Sequence, residues 1–351
     1  MSWERSAQWP PPARRNRLRR NARQPGVRRG KGRRVTLNIY WRLDPAADPQ
    51  RSEPRNWQPL PALARDRRVS HQNRFDYYLQ VAQAAAQTSF DGLFVRHRIE
   101  ADESRIIAAI VARAVPRLTV VPEFPASVGS AVYAAKQATT FQRSTPGRLG
   151  WAIAPDAKSA AREAEADFVG EADLEQRLDE FLTVARGVHE QRPFSYKGTY
   201  FEVANGGFDA PLNRVPFPRI FLQGEGEQAL ALSARHADVH LFQPAPADAL
   251  AHGVARLQAL AGGRIGAGII QPLLVREDKV SAERDAEGRD LTPGTLVASY
   301  DEAAEQLAAI VHTGISELVL EAGPSLEEAY RIGQHLLPRL RALTGAARAA
   351  A

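Results

Sequence analysis

Two short runs carry the residue types that could do chemistry. One is Arg96–His97–Arg98, directly after the apolar run Leu93, Phe94 and Val95. A histidine can give or take a proton near neutral pH, and flanking guanidiniums hold anions. The other is Gly224–Glu225–Gly226–Glu227, between an apolar run and a helical pattern. Exposed N–H groups and the helix dipole favour an anion at such a start. Its two carboxylates oppose a phosphate if they face the pocket, and are ordinary dipole partners if they do not. Gly224 and Gly226 are therefore candidate anion contacts, with Arg96 and Arg98 as the nearest compensating cations. His97 is the candidate active polar group, although an Arg-His-Arg run also suits a solvated loop.

Other chemistries lack their residues. The 351-residue chain has no cysteine, which excludes disulfides, thiolate metal sites and a cysteine nucleophile. No His-Glu-x-x-His or other paired histidines stand at metal-ligand spacing, so no metal is expected. No Gly-x-Ser-x-Gly elbow anchors a hydrolase triad. Gly224–Glu225–Gly226 lacks the third glycine of a dinucleotide fingerprint. His240 sits on a strand, where it faces either the sheet interior or a structural partner. His312 and His335 fall in helices and read as surface residues.

The elements that must position these groups alternate. Strands are expected at 35–41, within 90–95 after a turn, and at 118–122, 149–154, 219–223, 239–242, 268–275 and 317–321. Helices are expected between them, at 71–88 with Ser70 as N-cap, then 103–114, 128–141, 158–190, after Gly226, 248–260, 301–312 and 326–343. The last one should kink before Pro338. A hairpin at 193–203 and a turn at 205–207 interrupt the alternation, and 43–69 and 280–293 read as loops. The acidic run from Glu163 to Glu175 reads as a solvated helix face. Tyr40, Trp41, Phe94 and Trp151 sit on strands and read as core. Eight strands with about eight helices predict a (β/α)8 TIM barrel of the α/β class with an inserted helical and hairpin segment. A doubly wound open sheet is the alternative.

The order of pieces resembles the bacterial luciferase-like, flavin-dependent monooxygenases, and within them the alkanesulfonate monooxygenase branch. The pieces are Tyr196–Lys197–Gly198–Thr199–Tyr200–Phe201, Pro218–Arg219–Ile220–Phe221–Leu222–Gln223–Gly224 and Ala237–Asp238. Gly147–Arg148–Leu149 and the closing Leu326–Glu327–Glu328–Ala329–Tyr330 extend the likeness over 35–343. The resemblance implies oxidation of a small organic substrate by O2 with reduced FMN, supplied by a separate flavin reductase. For alkanesulfonates the products are an aldehyde and sulfite. It also implies a homodimer, and a site at the carboxyl ends of the strands. Several family positions depart. Asp44–Pro45–Ala46 stands where a histidine is expected, Ala101 replaces a cysteine, and Ala152 stands near an expected asparagine. Glu171 and Glu175 fall on a His and a Tyr that help hold the phosphate, and Glu225 and Glu227 replace serines. The segment 276–295 is short for the branch's substrate lid. A second expectation therefore stands beside the first, a degenerate barrel that serves as a non-catalytic partner subunit.

The net charge of +6 is unevenly placed. Residues 1–34 hold twelve Arg or Lys and one acid, so the remainder is acidic, at −5. A basic arm can meet nucleic acid, but this one has prolines and no periodicity, which predicts a disordered segment and no nucleic-acid partner. It also suits an over-extended start. The body is expected at 35–345, followed by a tail at 346–351. Hydrophobic residues make up 44% of the chain, ample for a core, and no apolar run approaches the roughly 20 residues of a membrane span. With no export signal visible, a soluble cytoplasmic protein is expected.

Overall fold

The computed structural model describes residues 36–48, 74–155 and 158–345. The basic arm, most of the loop expected at 43–69, Ser70 and the tail lie outside the described residues.

In chain order, β1 (Asn38–Leu43) is followed by α1 (Arg74–Gln87), β2 (Gly92–Val95), α2 (Ser104–Ala114), β3 (Thr119–Phe124), α3 (Ala131–Ser144) and β4 (Gly150–Ile153). The insertion holds α4 (Ser159–Ala164), α5 (Leu174–Glu190) and the antiparallel hairpin β5 (Phe194–Lys197) and β6 (Glu202–Gly206). Alternation resumes with β7 (Arg219–Gln223), α6 (Gly226–His236), β8 (Val239–Phe242), α7 (Ala247–Ala261) and β9 (Gly266–Arg276). After α8 (Lys279–Ala286) come β10 (Leu296–Ser299), α9 (Tyr300–His312), β11 (Ile315–Glu321), α10 (Ser325–Arg331) and α11 (Leu337–Thr344). Eight strands pair in parallel in the order β9-β11-β1-β2-β3-β4-β7-β8, and β8 pairs back onto β9. This is the closed (β/α)8 barrel, and closure excludes the open sheet.

The period-2 alternation of a strand decides what fills the barrel. Tyr40, Phe94, Val121, Ala152, Phe221, Leu241, Ile270 and Val319 form one inner cluster. Tyr40, Phe94 and Phe221 meet edge to face with centroids 5.3 to 5.9 Å apart, each pair worth about 0.5–1.5 kcal/mol beyond its burial. Gly92 leaves the room they need: a Cβ there would lie 2.5 Å from the Tyr40 ring. The alternate residues Trp41, Leu93, Trp151 and Leu222 face the helices. Glu103 caps α2 through the Ile106 amide, Ser130 caps α3, and Ser299 closes a capping box with Glu302 on α9. The last helix breaks at a π turn, Ile332–Leu336, just before Pro338, which cannot donate its backbone bond.

Four expectations change. The segment 280–293 holds a helix, α8, capped by Asp278. Asn205 and Gly206 belong to β6, where Gly206 pairs with Phe194 and the Asn205 amide bonds Ser195 Oγ; the expected turn is a bend within a ladder. The acidic run is not one solvated face. It is split after Ala164, and Asp167 is buried on Arg177 at 2.5 Å. A further strand, β10, pairs with the end of β9 (Leu296↔Leu273). β9 overshoots the barrel, so β10 adds a wall above it.

His240 points away from the barrel interior, because Val239 and Leu241 take the inward positions. It is fully buried beneath α6, with Nδ1 2.8 Å from Ser233 Oγ and its ring against Phe242. Burial pushes its pKa down to about 4. The folded state thus holds a neutral ring while the unfolded chain protonates near pH 6.5, so stability falls as pH drops from 6.5 towards 4. The loss is at most about 3 kcal/mol, at 1.36 kcal/mol per unit. Urea denaturation at stepped pH should show this slope, reduced in His240→Gln; equal slopes would remove the assignment.

Candidate active site

The carboxyl ends of the strands form a mouth floored by charges. On β1 the inward alternation that places Tyr40 inside places Arg42 inside as well, 8% exposed. Its Nη2 bonds Glu123 Oε1 on β3 at 2.8 Å and its Nη1 bonds Glu321 Oε2 on β11 at 3.0 Å. Burial works against the Arg42 charge, but the two carboxylates outweigh it and raise its pKa. Glu123 also accepts from the His97 amide at 3.3 Å and, at 3.5 Å, from Gln223 on β7. One ion-pair cluster therefore ties β1, β3, β7, β11 and the β2 end across the barrel axis.

Three recesses open above this floor. The largest, about 320 Å³, lies between the ends of β1, β2, β9 and β11 under the β10 wall. It is lined by five arginines (Arg42, Arg96, Arg98, Arg276 and Arg289) against four carboxylates. The second, about 210 Å³, shares Arg42, Arg96 and Arg98 and adds His97, Glu165 and Asp167. The third, about 180 Å³, shares Ala154 and Pro155 with the second and reaches Gly224, Glu225 and Glu175.

The structure brings Arg96, His97 and Arg98 together at the mouth. Arg98 forks onto Asp44 at 2.5 to 3.1 Å, and Arg96 reaches the same carboxylate at 3.3 Å. Burial would raise the Asp44 carboxyl, but Arg98, the Ala46 amide and Arg96 hold it below its usual range. Arg96 is lowered, by burial and then by the neighbouring Arg42 and Arg98. One aspartate does not neutralise this cluster. His97 Nε2 lies 3.3 Å from Glu165, at the end of α4, so the insertion supplies the partner of the candidate polar group.

Gly224 lines the third recess, and Gly226, the first residue of α6, lies outside its lining. Both have positive φ (149° and 82°), which suits glycine and aims the α6 N-terminus at the mouth. Glu227 turns outward to an exposed pair with Arg256 and so does not face the recess. Glu225 and Glu175 do line it, and among the described residues no arginine or lysine does. A like charge at about 4 Å costs roughly 4 kcal/mol at an effective dielectric of about 20, whereas a helix N-terminus contributes about 0.3–2 kcal/mol. The carboxylates win, and this recess does not suit a phosphate dianion. The arginine-lined recess does suit an anion.

Glu171 is exposed and outside all three recesses, and Ala152 lies in the inner cluster. The sequence reading missed Arg42, Glu123, Glu321 and Gln223. The available signal was a polar or charged residue at an inward position near the carboxyl end of each of four strands. Among the described residues, no three of His, Asp and Glu converge as a metal site, and no helix is long and apolar enough to cross a membrane.

A family profile described as luciferase-like monooxygenase matches residues 60–342. A long-chain alkane monooxygenase superposes with a TM-score of 0.71 at 14% identity, over 90% of this chain and 93% of that one. An EDTA monooxygenase from Chelativorans sp. BNC1 gives 0.66 at 17%, over 90% and 99%. The oxygenating constituent of 3,6-diketocamphane monooxygenase from Pseudomonas putida, in complex with FMN, gives 0.63 at 14%, over 87% and 99%. At such identities the likeness is one of fold, and the range of substrates singles out no alkanesulfonate branch.

Proposed function

We infer that this chain, which belongs to the luciferase-like monooxygenase family, is a flavin-dependent monooxygenase working at the carboxyl-end mouth of its barrel. The observation that carries the reading is the convergence of Arg96, His97 and Arg98 on a half-open recess at the face where barrel enzymes keep their sites. Reduced FMN from a separate reductase is the proposed cofactor, O2 the co-substrate, and a small organic molecule the substrate. A homodimer in the cytoplasm is the proposed form of the protein. When bound, the flavin supplies the oxidising chemistry with oxygen. The chain supplies the rest: arginines that bind and orient an anionic group, and a histidine able to hold or pass a proton at Nε2 against Glu165. Alkanesulfonates are the first substrates to screen, since a sulfonate is an anion an arginine can grip.

A second reading, a non-catalytic partner subunit, is favoured by the acidic α6 recess and by the ion pairs that occupy the barrel axis. Anaerobic titration of the full chain with reduced FMN, followed by flavin fluorescence, separates the two. Saturable binding with a Kd on the order of 1 μM and oxygen uptake on aeration are expected. No binding at roughly 500 μM would overturn the enzyme reading and leave the partner role.

A further inference from the structure

We propose that this chain has a second small-molecule site, at the amino end of its barrel, that takes a planar aromatic carboxylate. The site lies at the opposite end from the mouth and does not rest on the flavin reading. A cavity of about 460 Å³ stands there, larger than each recess at the mouth. Its wall holds the residues that open β1, β3, β4 and β7, namely Asn38, Thr119, Gly150 and Arg219, and parts of the segments that lead into β2, β3, β4 and β7. The strand period explains the space. Those four residues stand two before Tyr40, Val121, Ala152 and Phe221, so they share the inward face one layer lower. Bulky branched side chains dominate such layers in most barrels of this kind. Here an asparagine, a threonine and a glycine leave the layer open, and the Tyr40 and Phe221 rings line its inner end. The inner cluster thus divides this cavity from Arg42 and the mouth.

The wall is aromatic and positive. Phe90, Phe217, Pro116, Pro216 and Leu149 add apolar surface to the two inner rings. The charged residues in the wall are Asp91, Arg117, Arg148 and Arg219. Two of these are already paired. Arg219 bonds the buried Glu317 at 2.9 Å, with its guanidinium over the Phe221 ring, and Asp91 meets Arg341 at 3.3 Å. Arg148 donates from Nη1 and Nη2 to the Leu118 and Ala112 carbonyls at 2.7 and 2.9 Å, so it is fixed in place by neutral acceptors and keeps its charge. Arg117 is exposed and makes no hydrogen bond or ion pair among the described residues. With Glu317 and Arg341 included, four arginines stand against two carboxylates, an excess that attracts an anion. A guanidinium fork matches a carboxylate, and the surrounding rings match a flat apolar body. Small-molecule sites have this make-up and this size, mostly apolar with a few placed polar groups.

Calorimetric titration of the full chain with cinnamate tests this, with the uncharged cinnamamide as comparison. Cinnamate should bind with a Kd on the order of 100 μM, and the amide at least about 10-fold more weakly. Arg117→Glu should weaken cinnamate at least about 10-fold, and Arg117→Lys should keep most of the affinity. Arg117 is exposed, and circular dichroism checks that both variants fold. Arg98→Gln, at the mouth, should leave cinnamate binding unchanged. Affinity that survives Arg117→Glu overturns the proposal, and its loss in Arg98→Gln would then place the ligand at the mouth. Equal affinities for acid and amide overturn it too, as does no saturable binding up to roughly 5 mM. Reduced FMN should bind Arg117→Glu as it binds the native chain, so the fate of the flavin reading is measured apart from this one.

Discussion

Arg42→Met is expected to destabilise the chain by about 3–5 kcal/mol, the usual cost of removing one partner from a buried ion pair. The arginine alone bonds both Glu123 and Glu321, which stand 2% and 17% exposed. Without it, two carboxylates face each other over the barrel axis, and among the described residues the His97 amide and Gln223 remain as donors to the Glu123 carboxylate. The Arg42 pKa points the same way: burial lowers it, and the two glutamates more than reverse that. Arg42→Met combined with Glu123→Gln and Glu321→Gln should recover most of the loss, because a neutral cluster no longer carries uncompensated charge. Urea denaturation of the single and combined variants measures this. A single variant within about 0.5 kcal/mol of the native chain, or a combined variant no better than the single, would show that water reaches the cluster freely.

The same cluster shows where the sequence was legible. Every barrel strand was readable, because a parallel strand buried on both faces is a short apolar run. β7 and β8 fall at their expected bounds for that reason. β10 was not readable: Leu296 and Val297 are half-buried, since the strand pairs only with the overshooting end of β9. Its identity is a consequence of β9's length, which no local pattern states. α8 was hidden by its charge, having one buried residue, Ala282.

The places of the candidate residues in the fold were legible, and their partners much less. The strand-end rule located Arg96–His97–Arg98 at the mouth. It could not supply Arg42, Asp44 or Glu165, which come from the end of β1 and from the insertion, far from the run in sequence. The carboxylates at α6 were read as a pair, yet they diverge: Glu227 follows Arg256 to the surface while Glu225 remains at the recess. Glu225 is the extended residue before α6 and Glu227 lies in its first turn, so the helix start sends the two side chains different ways.

Glu180→Ala is expected to cost about 3–5 kcal/mol through three backbone donors left without their acceptor. Glu180 stands on α5, 4% exposed, and its carboxylate accepts from the amides of Thr199, Tyr200 and Phe201 at 2.8 to 3.2 Å. Burial would raise that carboxyl, but the amides of Tyr200 and Thr199, Gln176 and the Phe201 amide hold it below its usual range. The motif from Tyr196 to Phe201 now has a physical reason. Gly198 is required because a Cβ there would lie 2.3 Å from Glu180 Oε2, so the glycine admits the carboxylate that pins the hairpin. Unpinned, the hairpin would lose its hold on Phe201, which packs on Phe181 at 5.9 Å and through it on Trp151. The loss should be partly local, with faster hydrogen exchange in β5 and β6 than in the barrel strands. Glu180→Gln keeps an acceptor and should fall between the two. Alanine and glutamine variants of equal stability, or exchange that quickens uniformly across the chain, would mean that the hairpin is held by its ring contacts and the carboxylate is incidental.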